Sequence, residues 1–240
     1  MNLDFAPRRE LEDREWDNQS QTWERPNLDR KQLRQLNQRS TLEGMMRLIL
    51  HTATLVATAW LTLYLSRYHI LFSVVPYLLF AFLVGFLNGI EHEMRHKIVF
   101  SRRLDWFSEV VYFLIHILFR VGTRNQRVSH RVHHRYTMVS GVDPESDFPS
   151  VITPRWVRKT LWGLLLTVLT LGIPSFLKAM WTLIQRTLGR LNPMIQAGCR
   201  DGDKKFIQRE SLAILLINLA ALFGFVWWQR WDLILLLIQE

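Results

Sequence analysis

The 240-residue chain has a single cysteine, Cys199, which excludes an intramolecular disulfide. Its cysteine content therefore gives no indication of an oxidising compartment. The first ten residues, M-N-L-D-F-A-P-R-R-E, lack the apolar core of a secretory signal peptide, so we expect no signal peptide here. Histidine is absent after His134. Any site built from histidine side chains is thus confined to the first part of the chain.

Apolar residues are plentiful but unevenly spread. They make up 49% of the chain and occur in long runs separated by basic segments, which is typical of membrane proteins. The formal net charge is +9 and the sequence pI is about 10.2. Nucleic acid is one partner that such a charge can indicate. Because the basic residues flank the apolar runs, they indicate cytoplasmic anchoring beside anionic lipid instead, and we expect no nucleic acid partner.

Three apolar runs are long enough to cross a bilayer as helices: Leu48–Leu65, Ile70–Ile90 and Leu212–Trp228. The first two are separated by only four residues, so they predict a helical hairpin. A further run, Leu233–Ile238, covers only about 9 Å as a helix, far less than the bilayer core. We therefore expect an all-α integral membrane protein whose membrane domain, residues 42–240, is incomplete at its C-terminus. Residues 1–41 are polar and predict a flexible cytoplasmic tail.

Two other apolar segments do not fit a simple crossing. Trp106–Phe119 has 14 residues and predicts an interfacial helix. Leu161–Trp181 is interrupted by glycine, proline and lysine, and predicts a kinked element that enters and leaves by the cytoplasmic face. If this segment does not cross, 28 of the 30 lysines and arginines lie on one side, and only Arg67 and Arg230 lie on the other.

The most informative feature is a pair of histidine clusters. They read His92-Glu93-Met94-Arg95-His96 and His130-Arg131-Val132-His133-His134, and they hold five of the eight histidines. Residues four apart on a helix share a face, so the imidazoles of each cluster can point at one place. Imidazole is a common metal ligand, and the clusters predict a metal site at the membrane surface. The candidate ligands are His92, His96, His130, His133 and His134.

These clusters, in the contexts H-E-M-R-H after an apolar span and S-H-R-V-H-H-R-Y-T, resemble the first two histidine boxes of the membrane fatty acid desaturase and hydroxylase family. The resemblance covers Ile70 to Pro149. It implies two iron ions, a lipid or acyl substrate, O2 and an electron-donor protein of the ferredoxin or cytochrome type. It also implies a cytoplasmic cap bearing the histidines, and either desaturation or hydroxylation of the acyl chain.

This family holds its irons with three boxes, and the third is missing from the chain. The five box histidines supply about half of a two-metal site, so the sequence predicts that residues 1–240 alone bind iron substoichiometrically. The segment after the second box contains Asp143, Glu145 and Asp147. These acids are candidates to accept the second N–H of metal-bound histidines, or else form a solvated turn.

Two other functions fit the same residues. The first cluster is also H-E-x-x-H, the signature of zinc proteases with Glu93 as general base. That interpretation leaves His130, His133 and His134 unexplained, since a protease needs only one further ligand. The second alternative is that the chain is an inactive, metal-binding membrane fragment. The isolated histidines His51, His69 and His116 predict structural roles rather than metal binding.

Overall fold

The computed structural model describes residues 38–137, 139, 142–145 and 152–238, together with residues 29, 31, 32 and 35. Most of the predicted tail, residues 1–41, lies outside this part of the chain. Every regular element within it is helical. Apart from a short 3-10 turn at Arg102–Leu104, the helices are α1 (Thr41–Ser66), α2 (Ile70–Arg95), α3 (Asp105–Leu118), α4 (Thr123–Arg135), α5 (Pro154–Leu169), α6 (Ile173–Thr187), α7 (Pro193–Gly198), α8 (Asp203–Trp227) and α9 (Trp231–Leu237).

Among the described helices, three are long and apolar enough to cross a membrane: α1, α2 and α8. The first two form the predicted hairpin, and the turn between them is closed by His69, whose Nδ1 accepts the backbone N–H of Leu71 at 3.2 Å. Ser40 caps α1 in the same way by accepting the N–H of Glu43. The prediction of an all-α integral membrane fold is confirmed.

The hairpin is antiparallel and tightly closed at the end opposite the turn. A Cβ on Gly44 would overlap the Val99 carbonyl oxygen, so only glycine lets α1 approach the segment that follows α2. The backbone N–H of Ser101 donates to Thr41 Oγ1 at 3.0 Å. The start of α1 therefore fixes the chain directly after the first histidine cluster.

Helix α3 lies against this end of the hairpin. Its 14 residues are too few to cross a bilayer, in agreement with the predicted short helix at Trp106–Phe119. It contributes Tyr112 and Ile115 to a core that also contains the α2 side chains Leu87 and Met94. This packing places one face of α3 against the end of α2 that carries the first histidine cluster.

The segment Leu161–Trp181 is broken in the middle. Helix α5 ends at Leu169 and α6 begins at Ile173, and between them Leu171 and Gly172 have positive φ angles of 53° and 78°. Pro174 lies in the first turn of α6, where its missing N–H costs no hydrogen bond. Helix α6 then packs against α8 through a core that includes Phe176, Met180, Leu183 and Ile214.

Helix α8 begins nine residues before the predicted crossing, at Asp203 rather than Leu212. The apolar run marks only the part of the helix whose composition suits lipid. The polar N-terminal part extends beyond it and brings Asp203 and Glu210 to α4: Arg124 donates from Nε to Asp203 and from its backbone N–H to Glu210. A close contact of α7 supports α4 as well, since a Cβ on Gly198 would lie 2.5 Å from Val132 Cγ2.

Candidate metal centre

The first histidine cluster lies at the C-terminal end of α2. His92 and His96 are one turn apart, and their Nε2 atoms are 3.2 Å from each other. The sequence continues the membrane helix into polar residues here, so the imidazoles are carried beyond the apolar run without a break in the helix. Their Nε2 atoms face the same point.

The second cluster lies on α4, a polar helix with an apolar stripe. Val128 and Val132 are buried on that stripe, and this fixes the rotation of the helix. His130 and His134 then share the adjacent face, with their Nε2 atoms 3.0 Å apart. The spacing of four residues thus repeats the arrangement of the first cluster.

The two clusters meet. His130 Nε2 lies 3.0 Å from His96 Nε2, and the candidate ligand atoms of His92, His96 and His130 all lie within 4.8 Å of one another. Two nitrogens bound at right angles to one ion at about 2.1 Å are about 3.0 Å apart. The observed separations therefore fit imidazoles arranged around one ion, and imidazole is a donor that suits iron.

Two carboxylates hold the outer nitrogens of the second cluster. Glu145 Oε2 lies 3.0 Å from His130 Nδ1, and Asp143 Oδ2 lies 2.9 Å from His133 Nδ1. Each imidazole donates its Nδ1–H to the acid, which leaves the lone pair on Nε2. Both acids come from one turn, in which the Glu145 N–H donates to Asp143 Oδ1 at 2.9 Å. The third candidate acid, Asp147, lies outside the described residues.

Residues 71–239 match the family model described as fatty acid desaturase. The chain belongs to the fatty acid desaturase family. No curated protein and no solved structure matches the chain. The predicted family is thus confirmed, and family membership together with the three long apolar helices makes the chain a membrane protein with a lipid function of the desaturase or hydroxylase type.

The surroundings of His96 and His130 favour neutral imidazole. Desolvation lowers the pKa of His96 below its usual value, and the neighbouring His92 and His134 lower it further. Burial lowers the pKa of His130 as well, against the opposing effect of the Glu145 carboxylate. Only a neutral imidazole has the lone pair that a metal needs.

Of the isolated histidines, His69 caps α2 at the turn of the hairpin, at the opposite end of the helix from His92. His116 is fully buried in α3, where its Nδ1 donates to the Tyr112 carbonyl at 2.7 Å. His51 lies within α1, and no described group forms a hydrogen bond with its buried Nε2. None of the three is among the converging imidazoles.

The sequence did not single out Glu91 and Arg95, which lie on either side of His92. Arg95 donates to both oxygens of Glu91 and also, from the other end of its guanidinium, to Glu145 at 2.8 Å. A carboxylate at the end of an apolar membrane helix, four residues before an arginine, is a signal that was available in the sequence.

An open cavity of about 460 Å³ adjoins the histidines. It is lined by side chains from α2 and α4 and by the turn that carries the two acids. The lining residues include Asn88, His92, Gln126, Ser129 and Glu145. The cavity therefore opens beside His92 and the turn that carries Glu145.

Proposed function

We propose that the chain is a membrane oxidoreductase that uses iron, held by its two histidine clusters, to desaturate or hydroxylate a lipid acyl chain with O2. The observation that carries this proposal is the meeting of imidazole Nε2 atoms from two helices at separations of 3.0–3.2 Å. Family membership provides the reaction class. The electrons would come from a separate donor protein of the ferredoxin or cytochrome type.

The proposed ligands are His92, His96, His130, His133 and His134. When bound, iron supplies the O2 activation that removal of hydrogen from an unactivated C–H bond requires. The role of the protein is to hold the imidazoles neutral and correctly oriented. Burial favours the neutral form of His130. Asp143 and Glu145 orient His133 and His130 by accepting their Nδ1–H groups, and the Nε2 atoms are thereby left free to bind the metal.

The converging imidazoles supply nitrogen donors for one metal ion. A second ion of the family type requires further donors, and among the described residues only His92, His96 and His130 form a group of three or more candidate ligands. We therefore expect the 240-residue chain to bind fewer than two equivalents of tightly held iron. Iron without any lipid oxidation would support the alternative of a metal-binding but inactive membrane fragment.

The test of the function is reconstitution of the full 240-residue chain in lipid with each class of electron donor, followed by product analysis under 18O2. A hydroxylase product carries the label in a new alcohol, whereas a desaturase product has lost two hydrogens and carries no label. The control is the same membrane without reductant. If the protein binds zinc in preference to iron and cleaves peptides in a manner that depends on Glu93, the proposal is wrong and the protease reading is right.

We propose further that the histidine clusters face the cytoplasm, on the basis of the 28 basic residues that the three crossings place on that side. In a Cys199→Ser background, Lys204→Cys should react with an impermeant maleimide only after the cells are permeabilised. Arg67→Cys, in the turn at the other end of the hairpin, is the matched control and should react in intact cells. Strong labelling of Lys204→Cys in intact cells would contradict the orientation.

A further inference from the structure

A buried ion pair lies directly behind the first histidine cluster. The side chains of Glu91 and Arg95 are 1% and 4% exposed. Arg95 Nε donates to Glu91 Oε1 at 3.0 Å, and a second guanidinium nitrogen binds the other carboxylate oxygen. A charge buried at the end of a membrane helix is costly unless it is fully paired, so the position of each group is closely determined by the other.

The pair is also fixed from its other side. His116, on α3, places its Nε2 3.2 Å from Glu91 Oε1. Its ring is held in turn by the Tyr112 carbonyl. Glu91 is thus in contact with Arg95 of its own helix and with His116 of α3, and it has little freedom to move with respect to either helix.

The remaining guanidinium nitrogen of Arg95 reaches the second histidine cluster. Arg95 NH1 donates to Glu145 Oε1 at 2.8 Å, and the other oxygen of the same carboxylate receives the Nδ1–H of His130. The path His116–Glu91–Arg95–Glu145–His130 is continuous. It joins α3, the helix of the first cluster and the helix of the second cluster.

We propose that Arg95 is a positioning residue: it holds Glu145 in place, and through Glu145 it sets the orientation and tautomer of His130 toward the metal. This inference rests on the proposed function of the histidines as iron ligands. Arginine suits the role because its planar fork makes two parallel hydrogen bonds to Glu91 while other N–H groups remain for Glu145. Lysine carries the same charge but lacks the fork.

A purely structural role for the ion pair predicts something different. In that case the loss of Arg95 lowers the stability of the metal-free protein and leaves the metal site of the surviving molecules unchanged. In the positioning role, the effect passes through Glu145. Replacement of Arg95 then alters the metal site itself, and it has no further effect once Glu145 has been replaced.

The experiment titrates the purified full-length chain in lipid nanodiscs with Co²⁺, a spectroscopic probe for the iron site, and follows the visible d–d bands. Arg95→Lys and Glu145→Gln should each weaken Co²⁺ binding by about 10-fold and change the band positions, as is usual for partners behind a ligand. The double variant should be no weaker than the weaker single variant. Glu93→Gln, which removes the charge of a half-exposed acid of the same helix, should stay within about twofold of the parent.

Failure of the two ideas can be told apart. If the parent protein binds no Co²⁺, the proposed function is overturned. If the parent binds Co²⁺ and Arg95→Lys binds it with the same affinity, the positioning role is overturned and the metal site stands. The same conclusion follows if the affinity losses of Arg95→Lys and Glu145→Gln multiply in the double variant. Should Arg95→Lys not assemble, Glu91→Gln takes its place, because it removes the inner partner of Arg95. Its loss of affinity must also vanish in the Glu145→Gln background.

Discussion

Replacement of His130 by alanine should lower the Fe²⁺ affinity of the protein by more than about 100-fold, beyond the usual effect of removing a partner behind a ligand. His130 is the point where the two clusters join, since its Nε2 lies 3.0 Å from both His96 and His134. Without it, the group of three converging ligand atoms formed by His92, His96 and His130 loses its member from α4. Lipid oxidation should be lost together with the metal.

The measurement is competition for Fe²⁺ with a chromophoric chelator under anaerobic conditions. His69→Ala is the matched control, because His69 is a histidine of the same helix pair that lies at the turn of the hairpin. It should retain the parent affinity. An unchanged Fe²⁺ affinity in His130→Ala would show that the metal, if any, is held elsewhere.

A second large effect is expected at Asp203, which lies far from the histidines in the sequence. Its side chain is completely buried, and it binds Arg124 Nε at 2.6 Å and Arg131 at 3.1 Å. It also accepts the backbone N–H of Arg200. Asp203→Asn removes the charge that both arginines of α4 share, and should lower the free energy of unfolding by about 2–3 kcal/mol. This is below the usual cost of breaking a buried pair, because the two arginines reach solvent.

Thermal unfolding of the metal-free protein in detergent measures this change. Asp201→Asn, two residues away at an exposed position, is the control and should have an effect within about 0.5 kcal/mol of zero. Because Arg131 adjoins His130, the Asp203 variant should also bind metal more weakly. Equal stability of the Asp203 and Asp201 variants would show that the buried carboxylate does not anchor α4.

The fold was predictable where a pattern of consecutive residues determines it. The three long apolar runs predicted the three long apolar helices, and the break in Leu161–Trp181 followed from its glycines and proline. The start of α8 was not predictable from hydropathy. Its first turns are polar, and they are helical because Asp203 and Glu210 bind residues of α4 about 80 positions earlier in the chain.

The same distinction applies to the candidate site. Helical phase alone placed His92 with His96 and His130 with His134, and the short distance from the second cluster to Asp143 and Glu145 allowed the acids to be considered as their partners. Spacing along the sequence could not show that Arg95 reaches Glu145, because that contact depends on how α2 packs against the turn after α4. His116 was correctly expected to be packed and hydrogen-bonded, but its partner on α2 was not foreseen.

Helix α2 is long and apolar enough to cross a membrane, and it also carries the first histidine cluster at its C-terminal end. Its 26 residues give a length of about 39 Å, whereas the hydrocarbon core of a bilayer is about 30 Å thick. The length of the helix is fixed. With its His69 end at one membrane interface, the thickness of the bilayer therefore sets how far His92 and His96 lie from the opposite interface. In a thicker membrane these imidazoles sit closer to the acyl chains, and in a thinner one they rise toward water.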